Sequence, residues 1–182
     1  TFDNTILRSY DIRGIYGKTL TDKDAFMLGF FFGITVRKKN PNKKHPLIVI
    51  GMDGRLSSPI LEEKLNEGLK NSGCEIYRIG LGPTPMLYFA SNYYKADGAI
   101  QVTGSHNPKD YNGFKIVLNQ NSFFGVDIQR LGNFASEGYS KTYYGFSKSV
   151  EININYIDEI IKPLKKIEGR LHEKTIVWDC GN

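Results

Sequence analysis

Cysteine is scarce in this chain: its 182 residues include two, Cys74 and Cys180. Two cannot form a disulfide framework, and the scarcity fits a reducing compartment. Long apolar runs are absent as well. The longest, Ala25 to Val36, is twelve residues, too short to span a bilayer and in keeping with a buried core helix. It follows Asp22-Lys23-Asp24 rather than a basic leader, so it does not read as a signal peptide. No Asn-x-Ser/Thr acceptor, internal repeat or low-complexity tract occurs. These absences predict a soluble, cytoplasmic protein.

What is present suffices for a core. About 40% of residues are apolar and 24% charged, a balance that excludes fibrous and disordered classes. Lys plus Arg is 24 against 19 acids, a formal charge of +5. That excess favours anionic partners without choosing among nucleic acid, anionic membrane and phosphorylated metabolites. The densest basic run, Arg37 to His45, holds five Lys/Arg in nine residues. No aromatic interleaves it to stack a base, so it reads as a solvated loop after a helix, with no nucleic-acid or membrane partner.

Periodicity predicts alternating helices and strands. Asp22 to Arg37 reads as a helix with Thr21 as its N-cap. Leu47 to Gly51 is a short apolar strand, and Pro59 to Asn71 a helix that stops at Ser72-Gly73. Cys74 to Ile79 alternates like a strand, followed by a Gly80 to Pro83 turn and a helix from Pro85 to Tyr94. Asp97 to Thr103 is the next strand. Phe114 to Leu118 and Ser122 to Phe124 form a hairpin across Asn119-Gln120-Asn121, and a helix covers Val126 to Glu137. Lys141 to Val150 has no period and reads as a linker. Tyr156 to Ile167 is a helix interrupted by Pro163, and Thr175 to Trp178 a last strand. This order implies an α/β layered fold around a mixed, mostly parallel sheet, with ligands at the carboxyl ends of the strands. The chain begins at Thr1 and ends at Gly181-Asn182 directly after an apolar run; both ends read as those of a piece of something longer.

The segment Thr103-Gly104-Ser105-His106-Asn107-Pro108 follows a predicted strand. Gly104 permits close backbone approach, and Pro108 biases Asn107 away from helical dihedrals. A serine beside a histidine admits three readings. A Ser-His hydrolase needs the two side chains opposed through the fold, and no Gly-x-Ser-x-Gly elbow is present. A polar turn, with Ser and Asn satisfying backbone groups, is the plain reading. The third is a serine that carries a phosphoryl group.

That loop resembles the active-site phosphoserine loop of the α-D-phosphohexomutases, the phosphomannomutase and phosphoglucomutase family. Three further words agree in order: Ser9-Tyr10-Asp11-Ile12-Arg13-Gly14, Asp53-Gly54-Arg55 and Asn112-Gly113-Phe114-Lys115-Ile116. The tail Val177-Trp178-Asp179-Cys180-Gly181-Asn182 resembles the strand and turn that open the family's second domain. The likeness thus implies a first domain over residues 1–146 carrying the serine loop, of the layered α/β/α kind. Residues 147–182 would be a linker and the truncated start of a second domain.

The resemblance also implies an activity. Ser105 would carry the phosphoryl group and pass it to a mannose or glucose phosphate, moving phosphate between positions 1 and 6 through a hexose 1,6-bisphosphate. Arg13, on a loop after the first strand, would neutralise the transferring group. Lys115 would exchange a proton with the sugar hydroxyl, with His106 a second proton carrier or phosphate contact. Tyr10 and Asn107 would line the site, and backbone N–H groups at Gly104 and beyond would cradle the phosphate. Asp53 and Arg55 read as bracing the loop. Mg2+ is implied, touching the phosphate on Ser105, but the family's Asp-Gly-Asp-x-Asp-Arg metal loop does not occur here. Nor do its sugar-reading words, so the chain is expected to be inactive alone, and mannose is not distinguished from glucose. The contrasting reading is a non-catalytic domain that binds a sugar phosphate or a partner protein.

Overall fold

The computed structural model describes residues 1–3, 5–138, 141–164, 175 and 177–179. Its first helix, α1 (Asp22–Lys39), starts where the sequence places it. Thr21 accepts from the Asp24 N–H and Asp24 returns a bond to the Thr21 N–H, a reciprocal capping box that satisfies two otherwise unpaired donors. Its Phe30, Phe31 and Phe32 are all buried because α1 is covered on more than one side. The sheet lies on one flank, α2 (Ser58–Asn71) on another, and α4 (Val126–Glu137) beside it.

Helices α1 and α2 cross very closely. A Cβ on Gly29 would lie 2.3 Å from the Leu65 carbonyl oxygen, and one on Gly68 2.1 Å from that of Phe26. Each glycine lets the other helix's backbone approach, which brings Leu28, Phe32, Leu61, Leu65 and Leu69 into one core.

The remaining strands are β1 (Ile12–Ile15), β2 (Leu47–Met52), β3 (Glu75–Leu81), β4 (Gly98–Val102), β5 (Tyr111–Leu118), β6 (Asn121–Ser122) and β7 (Phe146–Ser149). They form one mixed sheet in the order β1-β5-β4-β2-β3-β7, with β6 on β5. Strands β4, β2, β3 and β7 pair in parallel, and β5 runs against β4, β1 and β6. β5 is therefore the reversed strand in an otherwise co-directional sheet. The central strands read as unbroken apolar runs because both faces are covered. Ile48, Ile50, Ile100 and Val102 meet α1 and α2, while Val49 and Ala99 meet α3 (Thr84–Tyr93). Cys74 belongs to the first core; burial pushes its thiol up to about 11.

Several boundaries differ from the sequence reading. The segment 141–150, expected as a linker, supplies β7, which pairs with β3 from Glu75 to Arg78. The Tyr143 N–H and Gly145 N–H reach the carbonyls of Asn71 and Lys70, contacts that periodicity does not reveal. β3 runs on through the expected turn to Leu81. α5 (Asn153–Ile161) starts earlier and ends before Pro163, whose missing N–H cannot continue the ladder. The expected hairpin is present with a tighter turn: Asn119 and Gln120 both take positive φ, at 47° and 64°, as a two-residue connection requires. Residues 175 and 177–179 form no strand. Cys180, Gly181 and Asn182 lie outside the described residues. Among the described residues no helix is long and apolar enough to cross a membrane.

The helix crossing yields a direct test. Gly29→Ala drives a methyl into the α2 backbone and is expected to destabilise the chain by about 1–3 kcal/mol in urea unfolding. Gly54→Ala, whose Cβ would find its nearest neighbour at 3.9 Å, is expected to leave the midpoint in place.

Candidate active site

The serine loop leaves the carboxyl end of β4 and returns as β5. Thr103 is buried; its N–H donates to the Gly113 carbonyl at 2.9 Å, and its Oγ1 accepts the Ser105 N–H at 2.9 Å. Asn107 closes the turn, with both its N–H and its Nδ2 donating to the Gly104 carbonyl. These bonds hold Ser105 at φ 50°, a left-handed conformation that non-glycine residues hold only where their surroundings impose it. The Ser105 and His106 side chains are exposed, and the Ser105 hydroxyl has no hydrogen-bond partner among the described residues.

Beneath the loop lies the Asp53-Gly54-Arg55 turn that follows β2. Arg55 donates to four backbone carbonyls: Pro108 at 2.6 Å and Tyr111 at 3.0 Å through Nη1, Asn107 at 2.6 Å and Ser105 at 3.1 Å through Nη2. Its Nε lies 3.4 Å from Asp53 Oδ2. A Cβ on Gly104 would sit 1.8 Å from that Nε, so the guanidinium occupies the space a side chain would need. Asp53 Oδ2 accepts the Gly104 N–H at 2.8 Å, and Oδ1 accepts from Ser58 Oγ at 2.6 Å and the Arg55 N–H at 3.1 Å. Partial burial pushes this carboxyl up, but hydrogen bonds from Ser58, Arg55, Gly104 and Thr103 outweigh it and hold the group below its ordinary value. Asp53 and Arg55 brace the loop, as their sequence context suggests.

Two expected roles change with the geometry. Arg13 is not on a loop; it lies inside β1, opposite Gly113, with 1% of its surface exposed. One guanidinium nitrogen donates to the Thr103 carbonyl and another pairs with Asp11 at 2.6 Å, while its buried Nε has no partner among the described residues. The Gly104 N–H, expected in a phosphate cradle, is committed to Asp53, and that of Ser105 to Thr103. Sequence reading places glycine there for close approach by a ligand, whereas the close neighbour is Arg55.

Lys115 lies in β5 opposite Gln101 on the face that carries α3, and it lines a cleft of about 270 Å³ together with Tyr10, Tyr88 and Phe124. Tyr10 is 83% exposed. A second, wider cleft of about 920 Å³ is lined by Asp53, Arg55, Leu56, Asn107 and Lys109. The structure thus gathers Ser105, His106 and Asn107 on one loop, Arg13 under it, and Lys115 with Tyr10 in an adjoining cleft. Sequence reasoning missed Ser58, which bonds Asp53, and the fully buried Asn112, which bonds Ser58, and also Tyr88 and Phe124. Ser58 reads in sequence as a helix start before Pro59, and nothing local marks its contact with β5. Among the described residues no three His, Cys, Asp or Glu side chains gather to hold a metal ion. The residues present therefore do not by themselves fit the Mg2+ that the resemblance implies.

A family model described as phosphoglucomutase/phosphomannomutase, alpha/beta/alpha domain I, matches residues 4–131. The chain is 37% identical over 179 residues to a phosphomannomutase/phosphoglucomutase of Pseudomonas putida, covering 98% of this chain and 37% of that protein. It is 43% identical over 186 residues to a phosphoglucomutase of Neisseria meningitidis serogroup B, covering 97% and 37%. A solved structure of a phosphoglucomutase/phosphomannomutase family protein from Burkholderia thailandensis superposes with a TM-score of 0.81 at 36% identity. It covers 88% of this chain and 36% of that one. The chain thus spans little more than a third of the length of these relatives.

Asp53 gives the loop a pH dependence. Its folded-state value lies below the ordinary 3.8, so its contribution is present above 3.8 and is lost as pH falls through the lower folded value. Asp53→Asn is expected to be less stable at neutral pH and to show a shallower loss of stability between about pH 5 and pH 2. Equilibrium unfolding at stepped pH checks both.

Proposed function

The chain belongs to the phosphoglucomutase/phosphomannomutase family, and from that premise we propose that it supplies the phosphoryl-carrying part of a phosphohexomutase. The observation that carries the reading is Ser105: an exposed, unbonded hydroxyl on a loop whose backbone is fixed at four carbonyls by one guanidinium. Phosphoryl transfer asks a protein for positioning and charge stabilisation more than for covalent help. A fixed backbone with a free hydroxyl meets the first requirement.

In the proposed cycle, a phosphoryl group on Ser105 Oγ moves to a hydroxyl of a hexose 1- or 6-phosphate. The P–Oγ bond breaks, a bond from phosphorus to the sugar oxygen forms, and the hydroxyl proton passes to a base. The hexose 1,6-bisphosphate so formed reverses in the site and returns its other phosphoryl group to Ser105. Phosphate has then moved between the 1 and 6 positions, on mannose or glucose. Lys115 would take or give that proton; its place in a cleft with Tyr10 and Tyr88 supports the reading. His106 and Asn107 stand on the serine loop itself, beside the transferring group. Arg13 serves from below, holding the Thr103 carbonyl, with its unbonded Nε–H as a remaining donor. No step of this cycle is assigned to Mg2+, since among the described residues no three His, Cys, Asp or Glu side chains gather to hold it.

Ser105→Ala in the full-length parent is expected to abolish mutase turnover, and mass spectrometry of the wild-type parent to find phosphate on Ser105. Ample residual turnover in the alanine variant would sink the assignment. The 182-residue chain alone is expected to show no conversion of mannose or glucose 1-phosphate with Mg2+ and glucose 1,6-bisphosphate present. Coupled assay of the purified chain checks this.

A further inference from the structure

Asp53 is where the serine loop is tied to the sheet, and two fully buried side chains govern its geometry. Ser58, the first residue of α2, donates Oγ–H to Asp53 Oδ1 at 2.6 Å. Asn112, in β5, donates from Nδ2 to Ser58 Oγ at 3.0 Å and to Ser57 Oγ at 2.8 Å. Its Oδ1 accepts the Gly113 N–H at 2.9 Å. That last bond fixes which way the amide faces, because a backbone N–H can only donate. With Oδ1 so occupied, Nδ2 faces the serines, and its bond into the Ser58 oxygen leaves the Ser58 hydrogen directed at Asp53. The chain has one polarity, Asn112 to Ser58 to Asp53, and Asp53 Oδ2 then receives the Gly104 N–H at 2.8 Å.

We propose that Ser58 and Asn112 are positioning residues for the serine loop, acting through the Asp53 carboxylate. The proposal rests on reading Ser105 as the phosphoryl carrier. Neither residue lies on the loop. Neither hydroxyl of the Ser57-Ser58 pair caps α2, so helix capping does not account for them. The constraint they supply is rotational. With Ser58 removed, Asp53 Oδ1 loses its shortest donor, and the carboxylate is free to turn about its last torsion. The Gly104 N–H it holds then moves with it, one residue from Ser105 at its imposed φ of 50°. A displacement of about 1 Å in a reacting group costs on the order of a hundredfold in rate.

The test uses the full-length parent. Ser58→Ala is expected to lower kcat by about tenfold to a hundredfold with KM nearly unchanged. It is also expected to speed hydrogen exchange in the peptide covering 103–108. Asn112→Asp keeps the shape and the Gly113 bond but cannot donate to Ser58, and is expected to do the same; it serves if the alanine variant fails to fold. The Ser58→Ala/Asn112→Asp double variant is expected to lose no more than the worse single one, because both act at the same carboxylate. Ser57→Ala removes a partner of Asn112 that does not touch Asp53, and is expected to keep kcat within about twofold. A Ser58→Ala kcat within twofold of wild type, or single losses that multiply in the double variant, would overturn the proposal. If the wild-type parent never carries phosphate on Ser105, the carrier reading falls. Unchanged exchange at 103–108 in Ser58→Ala would then still refute the positioning.

Discussion

Around the Arg55 guanidinium, a loop of polar backbone is held in a single shape. Four carbonyl oxygens from Ser105 to Tyr111 converge on its two terminal nitrogens, and Asp53 neutralises it from the other side. A lysine offers one point charge where this site needs a planar fork of donors. The clamp explains why position 104 is glycine, why the Gly104 N–H turns inward, and why Ser105 can be held left-handed with its hydroxyl outward. Without it, the carbonyls of an exposed turn would be satisfied by water and the turn would sample several shapes.

The fold delivers both halves of this clamp to one end of the sheet. β2 and β4 are parallel neighbours, so the turn after one and the loop after the other emerge side by side. Asp53 continues the pairing, its N–H reaching the Val102 carbonyl at 2.9 Å. The reversal at β5 brings Asn112 and Lys115 back under the same end. Pairing with β5 also carries Arg13 of β1 beneath Thr103. In an all-parallel sheet the chain would have to leave and cross over before returning, and the loop would lose the strand that anchors its second end.

Much of the scaffold was legible because its signals are local. The Thr21 N-cap, the apolar runs of β2 and β4, and the Pro59 and Pro85 helix starts are each decided within a few residues. The bracing role of Asp53 and Arg55 could also be read, since an Asp-Gly-Arg turn after a strand pairs its own charges. Other features rest on partners far away in the chain. Arg13 reads as a loop arginine aimed at a phosphoryl group, yet its partner Thr103 lies 90 residues on. Asn112 meets Ser58 across 54 residues. The strand at Phe146–Ser149 shows no period because one edge pairing with β3, rather than a two-faced core, makes it a strand.

By itself the sequence singled out the residues proposed to carry the chemistry: a serine in a Gly-Ser-His-Asn-Pro turn, and the words around Arg13, Arg55 and Lys115 that resemble the family. Composition and periodicity also determined the layered α/β class, because apolar spacing sets which face of each element can be buried. Only the tertiary structure decided what each polar group is bonded to. It placed Arg13 buried in β1 rather than on a loop, committed the Gly104 N–H to Asp53, and joined Asn112 and Ser58 into a chain of fixed polarity. The reason is that a hydrogen bond depends on distance and direction between groups that folding brings together, and spacing along the chain encodes neither.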